Sequence, residues 1–317
     1  SKDDNGATAL YIASEFNHLE VVQLLLSKSD LDINKPMCSG WTPLYVASQN
    51  NHIEVVRLLL SKSDIDINKA TDSGATSLYI ASQEGHIEVV RDMLSKSDIG
   101  INKATDDGAT SLYIASQEGH VEVVQLLLSK NDIDINKANA KGTTALIIAS
   151  QNGHVEVVCL LLSKSDIDIN KAKDDGATAL YITSQNGHVE VVRLLLSKSD
   201  IDINKSRDDG ATALYQASCY DHVEVVRLLI STTDIDINKA MDDGCKPTHA
   251  AASFGNIETL RLLLQQPNID FTTKDSYGKT PEAWANEKGH TEIVRLLQQH
   301  HNGTCQEGET KTTSSKK

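Results

Sequence analysis

A glycine recurs at Gly6, Gly40, Gly74, Gly108, Gly142, Gly176, Gly210, Gly244 and Gly278, an unbroken spacing of 34 residues. Nine near-copies of one small unit therefore fill the chain, and a fold has to work for all of them at once. Residues 174–207, DDGATALYITSQNGHVEVVRLLLSKSDIDINKSR, serve as the reading frame.

Thr178, followed by Ala-Leu-Tyr-Ile-Thr-Ser-Gln, predicts a short helix, because a threonine oxygen caps the first free amides. Pro43, Pro247 and Pro281 stand at the next position in three units, where a first helical turn needs no amide hydrogen. The helix stop falls at Asn17, Asn51, Gly85, Gly119, Gly153, Gly187, Asp221, Gly255 and Gly289. Only Gly, Asn and Asp appear there, the residues that enter the left-handed region at least cost, so positive φ is expected.

A second helix over about 188–197 carries Val189, Val191, Val192, Leu194, Leu195 and Leu196, with Glu190, Arg193 and Ser197 as its polar stripe. An apolar surface this wide needs cover on more than one side, which a lone hairpin of about 20 residues cannot supply and stacked neighbours can. Ser-Asp-Ile-Asp-Ile-Asn-Lys then alternates apolar and polar, as an extended arm leading into the tight turn at Asp208-Asp209-Gly210.

Over residues 1 to 300 these units resemble the ankyrin-repeat family. Thr42-Pro43-Leu44-Tyr45 is similar to the family's Thr-Pro-Leu-His, Gly187-His188-Val189-Glu190-Val191-Val192-Arg193-Leu194-Leu195-Leu196 to its second-helix signature, and Asp202-Ile203-Asn204 to its unit ending. The resemblance implies an all-α solenoid of helix-turn-helix units with β-hairpin-like loops, binding through hairpin tips and the exposed face of the first helix. Two departures stand out. The family's usual period is one residue shorter, so a longer loop is expected over 197–202, where the helix-ending glycine is also missing. The family's first-helix histidine survives only as His249 and is tyrosine at Tyr11, Tyr45, Tyr79, Tyr113, Tyr181 and Tyr215, which puts that histidine's usual hydrogen bonds, though not the fold, in question.

The array is expected to span 1–301 as one solenoid. Its first unit is truncated at its start and keeps ordinary apolar residues (Leu10, Ile12, Val21, Val22) where a cap turns polar, so upstream sequence in the parent protein is expected. The ninth unit, with Gln298, Gln299, His300 and His301, reads as a C-terminal cap, and 302–317 as a disordered polar tail.

The formal net charge is −14, with 44 acidic against 30 basic residues. That excludes phosphate-backbone binding as a function and favours a protein partner with a basic segment. No apolar run reaches the roughly 20 residues of a membrane span. Cys38, Cys159, Cys219, Cys245 and Cys305 share no unit position and no metal-ligand spacing, so reduced thiols, no cofactor, no metal and a cytoplasmic setting (nuclear or host-cell cytosol included) are expected, for a monomer.

Eight histidines (His18, His52, His86, His120, His154, His188, His222, His290) occupy one position at the entry to the second helix. They read as turn histidines bonded to neighbouring backbone, because residues one unit apart cannot converge within the roughly 2 Å a metal requires. Glu190 belongs to His-x-Glu rather than to a zinc-protease His-Glu-x-x-His, and favours the positive end of its helix. No unit gathers a distinct nucleophile, base and carboxylate, so no catalysis is expected.

Binding positions are those where units differ. The hairpin tips form an acidic ridge of Asp106, Asp107, Asp174, Asp175, Asp208, Asp209, Asp242 and Asp243, interrupted by Lys141. Repeated Asp-Asp-Gly is also good turn chemistry, and both readings stand at this point. Large side chains at equivalent variable positions are Phe16 and Trp41 near the start and Tyr220, Phe254 and Tyr277 near the end, as candidate anchors, although Trp41 could instead cover its own first helix. The chain is thus expected to be a protein–protein interaction module. Two alternatives remain: a structural spacer, favoured by the near-identity of units three to six, and a substrate of an asparaginyl hydroxylase, because Asn34, Asn68, Asn136, Asn170, Asn204 and Asn238 match a pattern similar to hydroxylation sites in ankyrin repeats. Those asparagines are equally well read as bonding the hairpin backbone.

Overall fold

Each unit begins where its threonine does. In the computed structural model, which describes residues 6–312 and their side chains through 302, Thr8, Thr42, Thr76, Thr110, Thr144, Thr178, Thr212 and Thr280 accept the amide three residues on, at 3.1 to 3.3 Å. Each such cap stabilises its helix by about 1 kcal/mol. Unit eight has Lys246 instead, and there the surviving His249 takes over: its Nδ1 accepts the Lys246 amide at 3.2 Å and its Nε2 donates to the Thr273 carbonyl at 3.1 Å. In the tyrosine-bearing units the threonine caps the amide three residues on, a different group from the one His249 holds.

The chain divides into two bodies, residues 1–168 and 169–317. In the first, the first helices are Ala9–Glu15, Pro43–Gln49, Ser77–Gln83, Ser111–Glu118 and Ala145–Asn152, and the second helices Leu19–Leu26, Ile53–Leu60, Ile87–Leu94, Val121–Leu128 and Val155–Leu162. In the second body the first helices are Ala179–Asn186, Ala213–Cys219, Pro247–Phe254 and Pro281–Lys288, and the second helices Val189–Leu196, Val223–Ile230, Ile257–Leu264 and Thr291–Thr312. Within each body first helices pack on first helices and second on second, in sequence order. The last helix carries its backbone well past 302, where the sequence reading starts a polar tail; the side chains from 303 on, Cys305 included, and the residues beyond 312 lie outside the described residues.

All nine predicted helix stops have positive φ, from 56° at Asn17 and Asn51 and 57° at Asp221 to 79° at Gly255. Here the glycine answers a second demand. A Cβ on Gly119 would meet the His154 ring of the next unit at 2.7 Å, and Gly85, Gly187 and Gly255 face His120, His222 and His290 in the same way. The ring lies that close because its Nε2 donates across the junction: His52 to Glu15, His86 to Gln49, His120 to Gln83, His154 to Gln117, His222 to Gln185 and His290 to Ser253, at 2.8 to 3.1 Å. The histidine column is therefore a set of inter-unit fasteners, each imidazole held in the Nε2–H tautomer by a carbonyl that can only accept.

The core follows the apolar stripe. Val55, Val56, Leu59 and Leu60 and their counterparts Val123, Val124, Leu127 and Leu128 are buried, each such side chain contributing about 1.5–3 kcal/mol. In unit one the corresponding Val21, with Ile12 and Leu24, is exposed. The missing glycine at the end of the second helix is replaced by serine: Ser61, Ser129, Ser163 and Ser197 Oγ donate to the carbonyl three residues back at 2.6 to 2.7 Å.

The extended arms expected between units do not form strands. No strand occurs among the described residues, and isolated bridges pair Ala104 with Thr110 and Ala172 with Thr178. The arm is held instead by its asparagine, which reaches across to the next arm: Asn136 Nδ2 donates to Asp166 O at 2.7 Å while its Oδ1 accepts from Asp168 N at 2.8 Å. Asn34, Asn68, Asn170, Asn204 and Asn238 repeat this two-point clasp. So does Asn102, which follows Gly100 rather than aspartate and so falls outside the pattern read from sequence.

Candidate interaction surface

Each hairpin tip turns at its marker glycine, with φ from 72° to 83°. Neighbouring tips are tied by one backbone bond each: Asp72 N to Ser39 O, Asp106 N to Ser73 O, Ala140 N to Asp107 O, Asp208 N to Asp175 O, Asp242 N to Asp209 O and Ser276 N to Asp243 O, at 2.7 to 3.2 Å. The two aspartates of a tip have different duties. The second serves the turn: Asp175, Asp209 and Asp243 Oδ1 accept the amides of Ala177, Ala211 and Cys245 at 2.9 to 3.2 Å. The first, at Asp106, Asp174, Asp208 and Asp242, is exposed. Turn chemistry thus accounts for Asp175, Asp209 and Asp243, whereas Asp107 accepts from Thr105 Oγ1 instead and, like Asp175, is itself exposed, so at least one outward carboxylate per tip remains. Lys141 is exposed in the gap, its own amide donating to Asn139 Oδ1 at 3.0 Å.

The candidate anchors separate. Phe16, Tyr220, Phe254 and Tyr277 are 61%, 56%, 62% and 67% exposed. Trp41 is not free: it is half-buried against Tyr45 at 5.3 Å between ring centroids and packs on Ala7, Tyr11 and Val46 and on Ala75 and Ile80. It covers its own first helix and the neighbouring one, so it leaves the anchor set. Tyr220 lies against His222 at 6.2 Å and Phe16 against His18 at 6.3 Å, at the far ends of the first helices. The acidic tips stand at the near ends, a helix of seven or eight residues away, which is about 11 Å. Tyr277 belongs to the tip row, edge-on to Trp284 at 6.1 Å.

Around these rows the titratable groups are tuned by burial. Cys219 is pushed up to about 11 by burial, and Cys245 to about 12 by burial with Asp243 beside it. Burial likewise drives the Tyr215 hydroxyl far above its usual range. Burial thus disfavours the thiolate of both cysteines. Asp275 is buried, which works against its charge, yet bonds from the Lys279 and Tyr277 amides at 2.9 and 3.0 Å and from the Trp284 indole at 2.6 Å hold its carboxyl below the usual range. It anchors the last hairpin.

A family model, "Ankyrin repeats (3 copies)", matches residues 1–71, 29–103, 78–173, 167–241 and 233–307. The chain belongs to the ankyrin-repeat family. Ankyrin repeats are generally protein–protein interaction modules and typically non-catalytic. No curated protein matches the chain. No helix among the described residues is long and apolar enough to cross a membrane.

Sequence reasoning missed the uneven cover over the first-helix tyrosines. Tyr11, Tyr45 and Tyr181 are buried, whereas Tyr79, Tyr113 and Tyr215 are half-exposed. The residue three before each marker glycine, which runs through Met37, Thr71, Thr105, Asn139, Lys173, Arg207, Met241 and Asp275, is a partial signal only: Tyr45, in register with Thr71, is buried beside Trp41, and Tyr215, in register with Met241, is not fully buried.

Proposed function

We propose that this chain is a non-catalytic module that captures another protein's basic segment in a reducing, cytosolic setting. The acidic tips draw the segment in, and aromatics of units seven to nine grip it. The observation that carries the reading is the concentration of Tyr220, Phe254 and Tyr277, all more than half exposed, in one body that also presents Asp174, Asp208 and Asp242 outward. Large aromatics held in water without cover are what interface anchors look like, and outward carboxylates set approach rate and orientation more than affinity.

The test is capture of partners from the native cell extract at low and high salt, with the wild-type chain and the Phe254→Ala, Tyr277→Ala double variant. A partner weakened by salt and lost by the double variant, whose melt stays within about 0.5 kcal/mol of wild type, supports the reading. A partner held equally by both chains sinks it.

A further inference from the structure

What covers the first-helix tyrosine decides what that ring is free to do. Tyr11 lies under Met37 and Trp41, and Tyr45 under Trp41. Tyr181 lies under a cation: the Arg207 guanidinium stands 5.7 Å from the ring centroid and pairs with Asp209 through Nε and Nη2. That pairing draws Asp209 below and Arg207 above their usual values. A ring beneath and a carboxylate beside is a complete receptor for a guanidinium, which stacks flat and donates in a fork.

Three units earlier the same register holds Tyr79, Thr105 and Asp107. The ring and the carboxylate are repeated, but the side chain over them is short. Thr105 Oγ1 donates to Asp107 just as Arg207 does to Asp209, so the carboxylate is turned toward the same spot. Tyr79 packs against the Tyr45, Ala75 and Ile80 cluster but is only partly buried, where Tyr181 is buried. Burial first, then Asp107, with Glu118 among the weaker contributors, pushes the Tyr79 hydroxyl up to about 12, so acidic groups flank this ring from both the hairpin and the far end of the neighbouring helix. Tyr113 is half-exposed as well, but the hairpin over it carries Asn139 and Lys141, which supply a positive charge and no carboxylate.

We infer that Tyr79, Thr105, Asp107 and Glu118 form a receptor for the guanidinium of an arginine in a partner's basic segment, the copy of the Arg207 arrangement in which the cation has to come from another chain. This rests on the acidic-surface reading above and makes it specific, because arginine rather than lysine is the residue selected. A lysine ammonium is a point charge that neither stacks flat on the ring nor forks onto the carboxylate.

The chain therefore contains the blueprint for its own blocked form. Thr105→Arg installs over Tyr79 the residue that Arg207 already is over Tyr181, and Arg207→Thr opens the second copy. Ala140→Arg adds the same charge at the exposed tip beside Asp107, whose carbonyl the Ala140 amide already binds, but at a tip position two residues before its glycine rather than at the position that stands over the tyrosine. Blocked acetyl-hexaarginine amide and its hexalysine counterpart, titrated at low salt and followed by calorimetry, are the probes.

Thr105→Arg is expected to weaken hexaarginine by about tenfold more than Ala140→Arg does, the size of one desolvated cation–π contact with its ion pair, while Arg207→Thr strengthens it. Hexalysine is expected to bind more weakly and to be affected alike by Thr105→Arg and Ala140→Arg. Urea midpoints of Thr105→Arg and Ala140→Arg matching wild type tie the loss of binding to the receptor, whereas Arg207→Thr gives up its pairing with Asp209 and its cover of Tyr181 and is expected to lower the midpoint while binding strengthens. If Thr105→Arg weakens hexaarginine no more than Ala140→Arg, or if hexalysine binds as tightly, the receptor is refuted and the acidic surface stands. If hexaarginine does not bind the wild-type chain at all, the acidic-surface reading itself falls.

Discussion

Gly119→Ala tests whether the units are fastened through the glycine–histidine junction. Gly119 has φ of 78°, and a Cβ there meets the His154 ring at 2.7 Å, less than any real Cβ contact permits. Holding alanine in the left-handed region costs about 1–2 kcal/mol, offset by about 0.4–1 because the unfolded chain is stiffened, leaving about 1. Moving the ring breaks its 2.9 Å bond to the Gln117 carbonyl, about another 1 kcal/mol. The substitution is thus expected to destabilise by about 2 kcal/mol, and His154→Ala by about 1. Once the ring is gone alanine has nothing to displace, so the double variant is expected to cost about 2 rather than the additive 3 kcal/mol. Urea unfolding followed by circular dichroism, with the m-value checked for constancy across the four proteins, measures the cycle. Additivity within about 0.3–0.5 kcal/mol would show that the glycine serves its backbone angle alone.

Acid should loosen the second body in a set order. His249 is held below its ordinary value, by burial first, so its contribution is complete above about pH 6.5 and drains as pH falls from there through its folded value. Asp270 is also lowered, its bonds from Lys246 and Thr273 outweighing burial, so its share persists to about pH 4 and is lost only below it; Trp284 fluorescence in urea, with His249→Gln expected to remove the first slope, reads both. Alkylation near neutral pH should label exposed Cys38 and Cys159 well before Cys219 and Cys245, whose thiols burial pushes up to about 11 and 12, and peptide mapping that finds Cys245 labelled first would contradict that environment.

Backbone chemistry was the legible part of this sequence. The threonine caps, the proline entries and the nine helix stops are each decided within a few residues, and the structure agrees at every one. Ile-Asp-Ile-Asn alternates as a strand does yet forms only an arm, for a physical reason. Its isoleucines, such as Ile67 and Ile135, plug the core, while the asparagine between units supplies the cross-links that a ladder otherwise would. The same two-ended use of the amide explains these asparagines without any modification. The sequence left Trp41 open between anchor and cover, and the neighbours Tyr45, Val46 and Ala75 favour cover. The acidic tips and the aromatics were read as one surface, but Phe16, Tyr220 and Phe254 sit at the opposite end of the first helix from the tips, and only Tyr277 joins the tip row.

The junction also bears on how such an array can grow. Every fastening joins the end of one unit's first helix to the start of the next unit's second helix, one period on. A 34-residue slice of the uniform region, cut anywhere, carries one donor and one acceptor of that linkage, so its tandem duplication leaves no orphan. Units seven and eight have given up this interchangeability. Asp221 stands where the others have glycine or asparagine, Asn256 replaces the histidine and binds the Ser218 and Cys219 carbonyls, and Thr259 binds the Asp221 carboxylate at 2.8 Å. These two behave as a matched pair: the uniform units can be copied or dropped singly, whereas units seven and eight have to be inherited together.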